Sequence, residues 1–172
     1  MTQVTQITRE QQHALCISDA VTTMQLGKVM GPAYKRIMNE LEKQNIPLDD
    51  KAIPFTIYHR IDWESFDKKG PVSMFKMLFL KKWHIDMGIP VPPEAHGVYD
   101  IRMLRIEGGT FLCTVHSGPY QKVGEAYERI RSKAKSEGLT LASSSMEYYL
   151  NDPREVKPTE LKTEVLVPLR QS

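Results

Sequence analysis

T-F-L-C-T-V-H-S-G-P-Y, residues Thr110–Tyr120, opens the stretch that decides the fold, and T-E-V-L-V-P-L, Thr163–Leu169, closes it. Between them lie G-E-A-Y-E-R-I (Gly124–Ile130) and M-E-Y-Y-L-N-D-P (Met146–Pro153). The first segment reads as a strand entering a helix. Val123, Tyr127, Ile130 and Ala134 recur on one helical face. Ser117 is an expected N-cap, Pro119 fits the first turn, and Gly138 ends the helix. Ser144–Leu150 and Thr163–Leu169 follow as strands, separated by the Asn151–Asp152–Pro153 turn and a polar loop.

Working upstream, Val98–Ile106 alternates in polarity, and Glu107–Gly108–Gly109 supplies a hairpin turn into the Thr110 strand. His13–Thr23 reads as a first strand. Met30, Tyr34, Ile37 and Leu41 form a helical stripe. Because Pro32 suits only a first turn, the regular helix is expected to begin near Gly31. Ile53–Asp62 and Trp83–Pro92 read as strands, whereas Ser73–Lys82 is ambiguous between helix, strand and lid. Residues 1–10 are expected to be a tail or an edge strand, and residues 11–172 a single domain.

The two helix stripes match at one offset: positions 30, 34, 37 and 41 become 123, 127, 130 and 134 on adding 93. Gly31–Pro32–Ala33–Tyr34 stands against Gly124–Glu125–Ala126–Tyr127, and Asp86–Met87–Gly88–Ile89–Pro90 against Glu164–Val165–Leu166–Val167–Pro168. The expected fold is therefore α+β. It is a duplicated βαββ with pseudo-twofold symmetry, half-repeats at about 12–93 and 97–170, and an antiparallel sheet. Two helices cover one face and a concave ligand cleft occupies the other.

Side-chain alternation puts Glu147 with Tyr149, and Glu164 with Leu166. With Val165 and Val167 under the helices, both glutamates are expected to project into the cleft. Asp86 takes the position equivalent to Glu164, and Tyr58 that of Tyr149. Gly88, standing where Leu166 does, suggests that a ligand extends toward the first half. The ligand-binding candidates are Glu147, Tyr149, Glu164, Leu166, Tyr58, Asp86, Tyr120 and Trp83. A cup of carboxylates and tyrosines suits a lipophilic cation. It also suits general acid–base chemistry, for which Glu164, Glu147 and Tyr149 are the catalytic candidates. A wet sheet face with solvated glutamates is the competing account of the same pattern.

Composition narrows the partners. The 172 residues are 41% hydrophobic and 26% charged, with a formal net charge of +2 and no basic stripe, so direct nucleic-acid binding is not expected. Cys16 and Cys113 make no C-x-x-C pair and read as buried small side chains. His13, His59, His84, His96 and His116 show no metal-binding spacing, so no metal and no cofactor is expected. No signal peptide or long apolar run is apparent, which points to the cytoplasm rather than a membrane.

H-S-G-P-Y, G-E-A-Y, M-E-Y-Y-L-N-D-P and T-E-V-L-V-P-L, with D-M-G-I-P-V in the first half, resemble the GyrI-like small-molecule-binding family. This is also the effector-binding domain of multidrug-responsive regulators of the MerR and AraC types. The resemblance covers roughly residues 11–170. It implies the duplicated fold and a central pocket for hydrophobic, often cationic compounds, with a pocket glutamate at Glu164 or Glu147. The chain resembles a stand-alone member, since no helix-turn-helix fits its N-terminal segment, and the stretch Trp63–Lys82 is an unusual insert. Three functions follow from the resemblance: holding a small molecule, hydrolysing cyclopropane-type electrophiles with a glutamate base, or binding a protein partner as the gyrase inhibitors do. A homodimer is a further expectation. Haem binding of the SOUL type lacks an axial ligand.

Overall fold

The computed structural model describes residues 3–50, 52–67, 70, 72–73 and 76–170. Eight strands form a single antiparallel sheet: β1 (Thr5–Arg9), β2 (Gln12–Thr22), β3 (Phe55–His59), β4 (Lys82–Val91), β5 (Arg102–Ile106), β6 (Gly109–Ser117), β7 (Ser145–Tyr149) and β8 (Lys162–Pro168). Their order is β1-β6-β8-β7-β3-β4-β2-β5. Helix α1 (Thr23–Lys43) follows β2, and helix α2 (Gly124–Glu137) follows β6. The element order is thus β2-α1-β3-β4 and then β6-α2-β7-β8. β1 lies along β6 as an edge strand.

Both helices bury one face of the sheet. Ala33, Ile37 and Leu41 of α1 pack with Leu15, Ile85, Met87 and Ile89. Ala126, Ile130 and Ala134 of α2 pack with Leu112, Val165 and Val167. Small or branched side chains at these positions let each helix approach the strands closely. The other face carries its own core of Phe55, Phe111, Met146, Tyr148 and Leu166, joined by Ile106 of β5 and flanked by Ile7 of β1. Residues from both sheet edges meet there because the sheet curls over that face. Gln12 of β2 donates to the Tyr148 hydroxyl of β7 across the curl at 2.6 Å.

The expected cleft over the middle of the face away from the helices is therefore corrected. There the face is filled with apolar side chains, and a polar depression opens toward the ends of β3 and β4. Gly88 shows why: a Cβ there would sit 2.6 Å from Phe55 Cζ and 2.4 Å from Cys16 Sγ. The space that Gly88 leaves holds the Phe55 ring, not a route for a ligand.

Two helix starts also differ from expectation. α1 begins at Thr23, well before Gly31, because Gln25 Oε1 accepts the Thr22 N–H at 2.9 Å and caps the end. Pro32 lies inside the helix on its exposed side. The hydrogen bond it forgoes leaves a carbonyl facing water. Ser117 belongs to β6, and a short 3-10 turn, Tyr120–Lys122, precedes α2. Gly138 ends α2 in the left-handed conformation (φ 65°). Within the Trp63–Lys82 insert, residues 63–67 form a 3-10 turn and 76–80 a π-helical turn, while Lys68, Lys69, Pro71, Met74 and Phe75 lie outside the described residues. Among the described residues no helix is long and apolar enough to cross a membrane.

Candidate functional site

The register of the central strands decides which side chains meet. Glu147 of β7 stands opposite Val165 of β8 and Thr56 of β3. Directly paired residues share a face, so Glu147 lies on the helix side with Val165. Glu164 stands opposite Tyr148 and Val115, and Leu166 opposite Met146 and Cys113. Glu164 and Leu166 therefore lie on the other side. The expectation that both glutamates share one cleft is corrected. Alternation fixes faces within a strand, but only the β7–β8 register relates the two strands.

Glu147 sits between the two helices, over the middle of the sheet. It is 6% exposed. Tyr127 of α2 donates its hydroxyl to Oε1 at 2.8 Å, and Tyr149 and Tyr58 donate to Oε2 at 3.2 and 3.4 Å. Tyr34 of α1 comes from the opposite side to Thr56, with its hydroxyl 2.8 Å from Thr56 Oγ1 and 2.9 Å from the Phe55 carbonyl. Tyr149 also lies 3.1 Å from Thr56 Oγ1, which closes a hydroxyl chain from one helix to the other.

Burial pushes the Glu147 carboxyl above its ordinary range, against the pull of the three tyrosine hydroxyls that bond it. Burial also drives the Tyr127 and Tyr58 phenols well above theirs, with the Glu147 charge adding to it. Burial, then Tyr58 and Glu147, does the same to Tyr149. All three remain protonated donors. Glu147 forms no ion pair among the described residues, although a buried carboxylate ordinarily needs a countercharge.

Aromatic rings surround this carboxylate. Trp83 packs edge-on to Tyr58 at 5.9 Å, and Tyr120 edge-on to Tyr149 at 5.7 Å. Trp63, fixed by its indole N–H on the Ala142 carbonyl at 2.7 Å, lies against Tyr127. Phe66 bridges Trp63 and Trp83. Lys81 already places an ammonium 4.2 Å over the Trp83 ring, so the rim accepts a cation on an aromatic face.

The remaining candidates are elsewhere. Glu164 pairs with Arg9 at 2.8 Å and accepts from the Cys113 thiol at 3.5 Å. Leu166 is buried in the apolar core of the curled face. Asp86 stands opposite Ile57 and Ser18, and is bonded by Ser18 and by His59 Nε2 at 2.7 Å. Of the eight residues inferred from sequence, the structure gathers Glu147, Tyr149, Tyr58, Tyr120 and Trp83. It places Glu164, Leu166 and Asp86 on the opposite side of the sheet. Among the described residues no three His, Cys, Asp or Glu side chains converge as a metal site would require.

Tyr34, Tyr127, Thr56 and Trp63 complete the constellation and escaped the sequence reading. Both tyrosines were assigned to buried helix stripes. Their signal is that each stripe otherwise holds only apolar residues, and a buried phenol needs a hydrogen-bond partner. Both occupy the same place in their helices, 93 residues apart.

The family description "GyrI-like small molecule binding domain" matches residues 79–170, just over half of the chain. The chain belongs to the GyrI-like family. The EcmrR C-terminal domain has a similar fold, with a TM-score of 0.79 at 19% identity, covering 100% of this GyrI-like chain and 99% of that domain. The chain spans 58% of EcmrR as it stands in a DNA complex, with a TM-score of 0.76 at 20% identity and 99% of this chain covered. A hydrolase encoded by lin2189 from Listeria innocua is similar at a TM-score of 0.65 and 14% identity, covering 98% of this chain and 92% of that one. SAV2435 bound to tetraphenylphosphonium is similar at 0.56 and 12% identity, covering 99% and 94%. No curated protein matches by sequence. At these identities the structural likenesses establish the GyrI-like fold.

Proposed function

We propose that this GyrI-like domain binds a lipophilic organic cation between α1 and α2, with Glu147 as countercharge and Tyr58, Tyr149, Tyr120 and Trp83 as aromatic walls. One observation carries the reading: a buried carboxylate that meets three hydroxyl donors and no cation. When it is ionised, no cation among the described residues compensates its charge. A quaternary or phosphonium cation supplies the charge without demanding hydrogen bonds, and its apolar substituents fit aromatic faces. Tetraphenylphosphonium in SAV2435, a relative by fold, is a ligand of this chemistry. Glu164, Leu166 and Asp86 drop from the proposed contacts, because they lie across the sheet.

The duplication read from the sequence belongs to the same proposal. The two halves bring Thr56 and Glu147 side by side at the centre of the sheet, each reached by a helix tyrosine. The first half then supplies a neutral hydroxyl where the second supplies the charge. The buried helix positions 33, 37 and 41 and 126, 130 and 134, again 93 apart, support that reading.

The test is calorimetric titration of tetraphenylphosphonium into the wild type, Glu147→Gln and Glu164→Gln. Saturable binding to the wild type and Glu164→Gln, lost in Glu147→Gln, is expected. No saturable binding of tetraphenylphosphonium or of rhodamine-type cations to the wild type counts against the proposal, as does equal binding to all three proteins. A second reading is hydrolysis with Glu147 as general base on water and Tyr149 or Tyr127 donating to the substrate. Its support is the raised Glu147 carboxyl. Turnover of a cyclopropane-type electrophile that disappears in Glu147→Gln separates it from binding alone.

A further inference from the structure

A second, chemically different site lies across the sheet from Glu147. There the ends of β3 and β4 and the residues entering β7 enclose an open depression of about 550 Å³ lined by Ser18, His59, Arg60, His84 and Ser144 among others. That volume is in the range of small-molecule sites. Its lining is polar, unlike the aromatic walls around Glu147. Asp86, the residue that the sequence placed in the main pocket, belongs here.

The charges of the depression can be assigned one by one. Asp86 is fully engaged: Ser18 Oγ donates to Oδ1, His59 Nε2 lies 2.7 Å from Oδ2, and Arg102 stands 3.7 Å away. Burial pushes its carboxyl up, but the bonds from His59 and Ser18 and the charges of His59 and Arg102 outweigh that and hold it below the usual carboxylate range. It is an ionised group with its acceptors committed. Asp19 accepts its neighbour's Ala20 N–H at 2.7 Å. Arg60 is different. Its guanidinium lies 3.5 Å from His84 Nε2 and makes no ion pair with any carboxylate among the described residues. A guanidinium carries five N–H donors, and a single imidazole nitrogen uses one.

The backbone adds an independent observation. Arg60 has φ of 55°, in the left-handed region that a branched or long side chain rarely adopts. Glycine or asparagine would fit this position with less strain. A strained arginine at the lip of a polar depression marks a place where the side chain's direction matters. The turn also sets Ser143 and Ser144 beside it, because the Ile61 N–H donates to the Ser143 carbonyl at 2.8 Å.

We infer that this depression binds a phosphate-type oxyanion, free or as a phosphomonoester, held by Arg60 with the serine hydroxyls of Ser143 and Ser144 and the imidazole of His84. Planar guanidinium N–H groups bond phosphate oxygens in pairs. His59, bonded to Asp86, forms part of the wall beside them. The site does not share a side chain with the Glu147 cluster.

NMR titration of the intact protein with inorganic phosphate, and separately with phenyl phosphate, tests the inference at constant ionic strength. Saturable shifts are expected at the Arg60 amide and the His59 and His84 imidazoles. Arg60→Gly removes the guanidinium at a backbone position that favours glycine, so its melting temperature is expected to stay equal or rise while affinity falls at least tenfold. Glu147→Gln is expected to keep the wild-type anion affinity. Binding of both probes identifies a phosphate group as sufficient; binding of phenyl phosphate alone identifies a monoester as the ligand. Absence of saturable shifts with both probes overturns the inference. So does binding that Arg60→Gly leaves unchanged.

Discussion

Glu147→Gln has a consequence for the ligand-free protein that can be worked from the site alone. Folding transfers the carboxyl from water to a place 6% exposed, and burial raises its pKa above the ordinary 4.5. The native state then holds a proton that the unfolded state has released. Stability falls as pH rises wherever the unfolded chain binds fewer protons than the native one. Glu147 thus contributes its full stability below about pH 4.5, and loses it progressively as pH rises through its folded value. Each tenfold gain in proton affinity on folding corresponds to about 1.4 kcal/mol lost once the group is ionised. For a domain of this size about 1 kcal/mol moves the melting temperature by roughly 2–4 °C.

Glutamine is the neutral near-isostere. Its carbonyl keeps the Tyr127 bond at the Oε1 position. At the Oε2 position its amide N–H₂ faces Tyr149 and Tyr58, which must accept rather than donate. Tyr149 can redirect its proton to Thr56 Oγ1, 3.1 Å away. The rearranged bonds cost about 1 kcal/mol or so each, independent of pH. The melting temperature of Glu147→Gln minus that of the wild type should therefore be small or negative at pH 4, grow as pH rises, and level off once the folded carboxyl is ionised. Scanning calorimetry across that range is the assay. A difference that stays flat with pH, or that turns in favour of the wild type as pH rises, refutes the reasoning about burial. With the proposed lipophilic cation bound, the order is expected to reverse. Removing one member of a buried charge pair costs about 2–5 kcal/mol, or roughly 30- to 4,000-fold in affinity.

Gly88→Ala forces a Cβ to within 2.6 Å of the Phe55 ring, so urea unfolding should show a loss of about 1–3 kcal/mol or more with an unchanged slope. Glu164→Gln breaks an ion pair whose Arg9 side chain is 46% exposed, and should cost no more than about 1 kcal/mol in the same assay. Burial, helped by nearby Asp86 and Glu164, raises the Cys16 and Cys113 thiols to about 12 each. Neither should react with a disulfide reagent at pH 8 until denaturant is added, and rapid labelling of the folded protein would contradict this.

Part of the candidate site is legible in the sequence: Glu147 with Tyr149 two residues on puts a carboxylate and a phenol on one strand face, and the structure brings Tyr58 to the same carboxylate. The helix stripes, offset by 93 residues, fixed both helices and their buried faces. Pro32 misled the α1 boundary, because a proline's cost depends on whether the freed carbonyl meets water, and sequence does not say which side faces solvent. Gly88 misled the direction of the pocket, since a missing side chain signals either open space or an intruding neighbour. Phe55 is the intruder.

Alternation along each strand, helix periodicity and turn chemistry are local properties, and by themselves they determined the α+β class, most of the strands, both helix faces and the alternation within each of those strands. Which glutamate meets which tyrosines was decided only by tertiary structure. Strand parity repeats every two residues, so a one-residue change of register between β7 and β8 would exchange Glu164 for Val165 beside Glu147. Long-range pairing settled that choice. It left Glu147 alone with its tyrosines between the helices and sent Asp86 and Glu164 to the far side of the sheet.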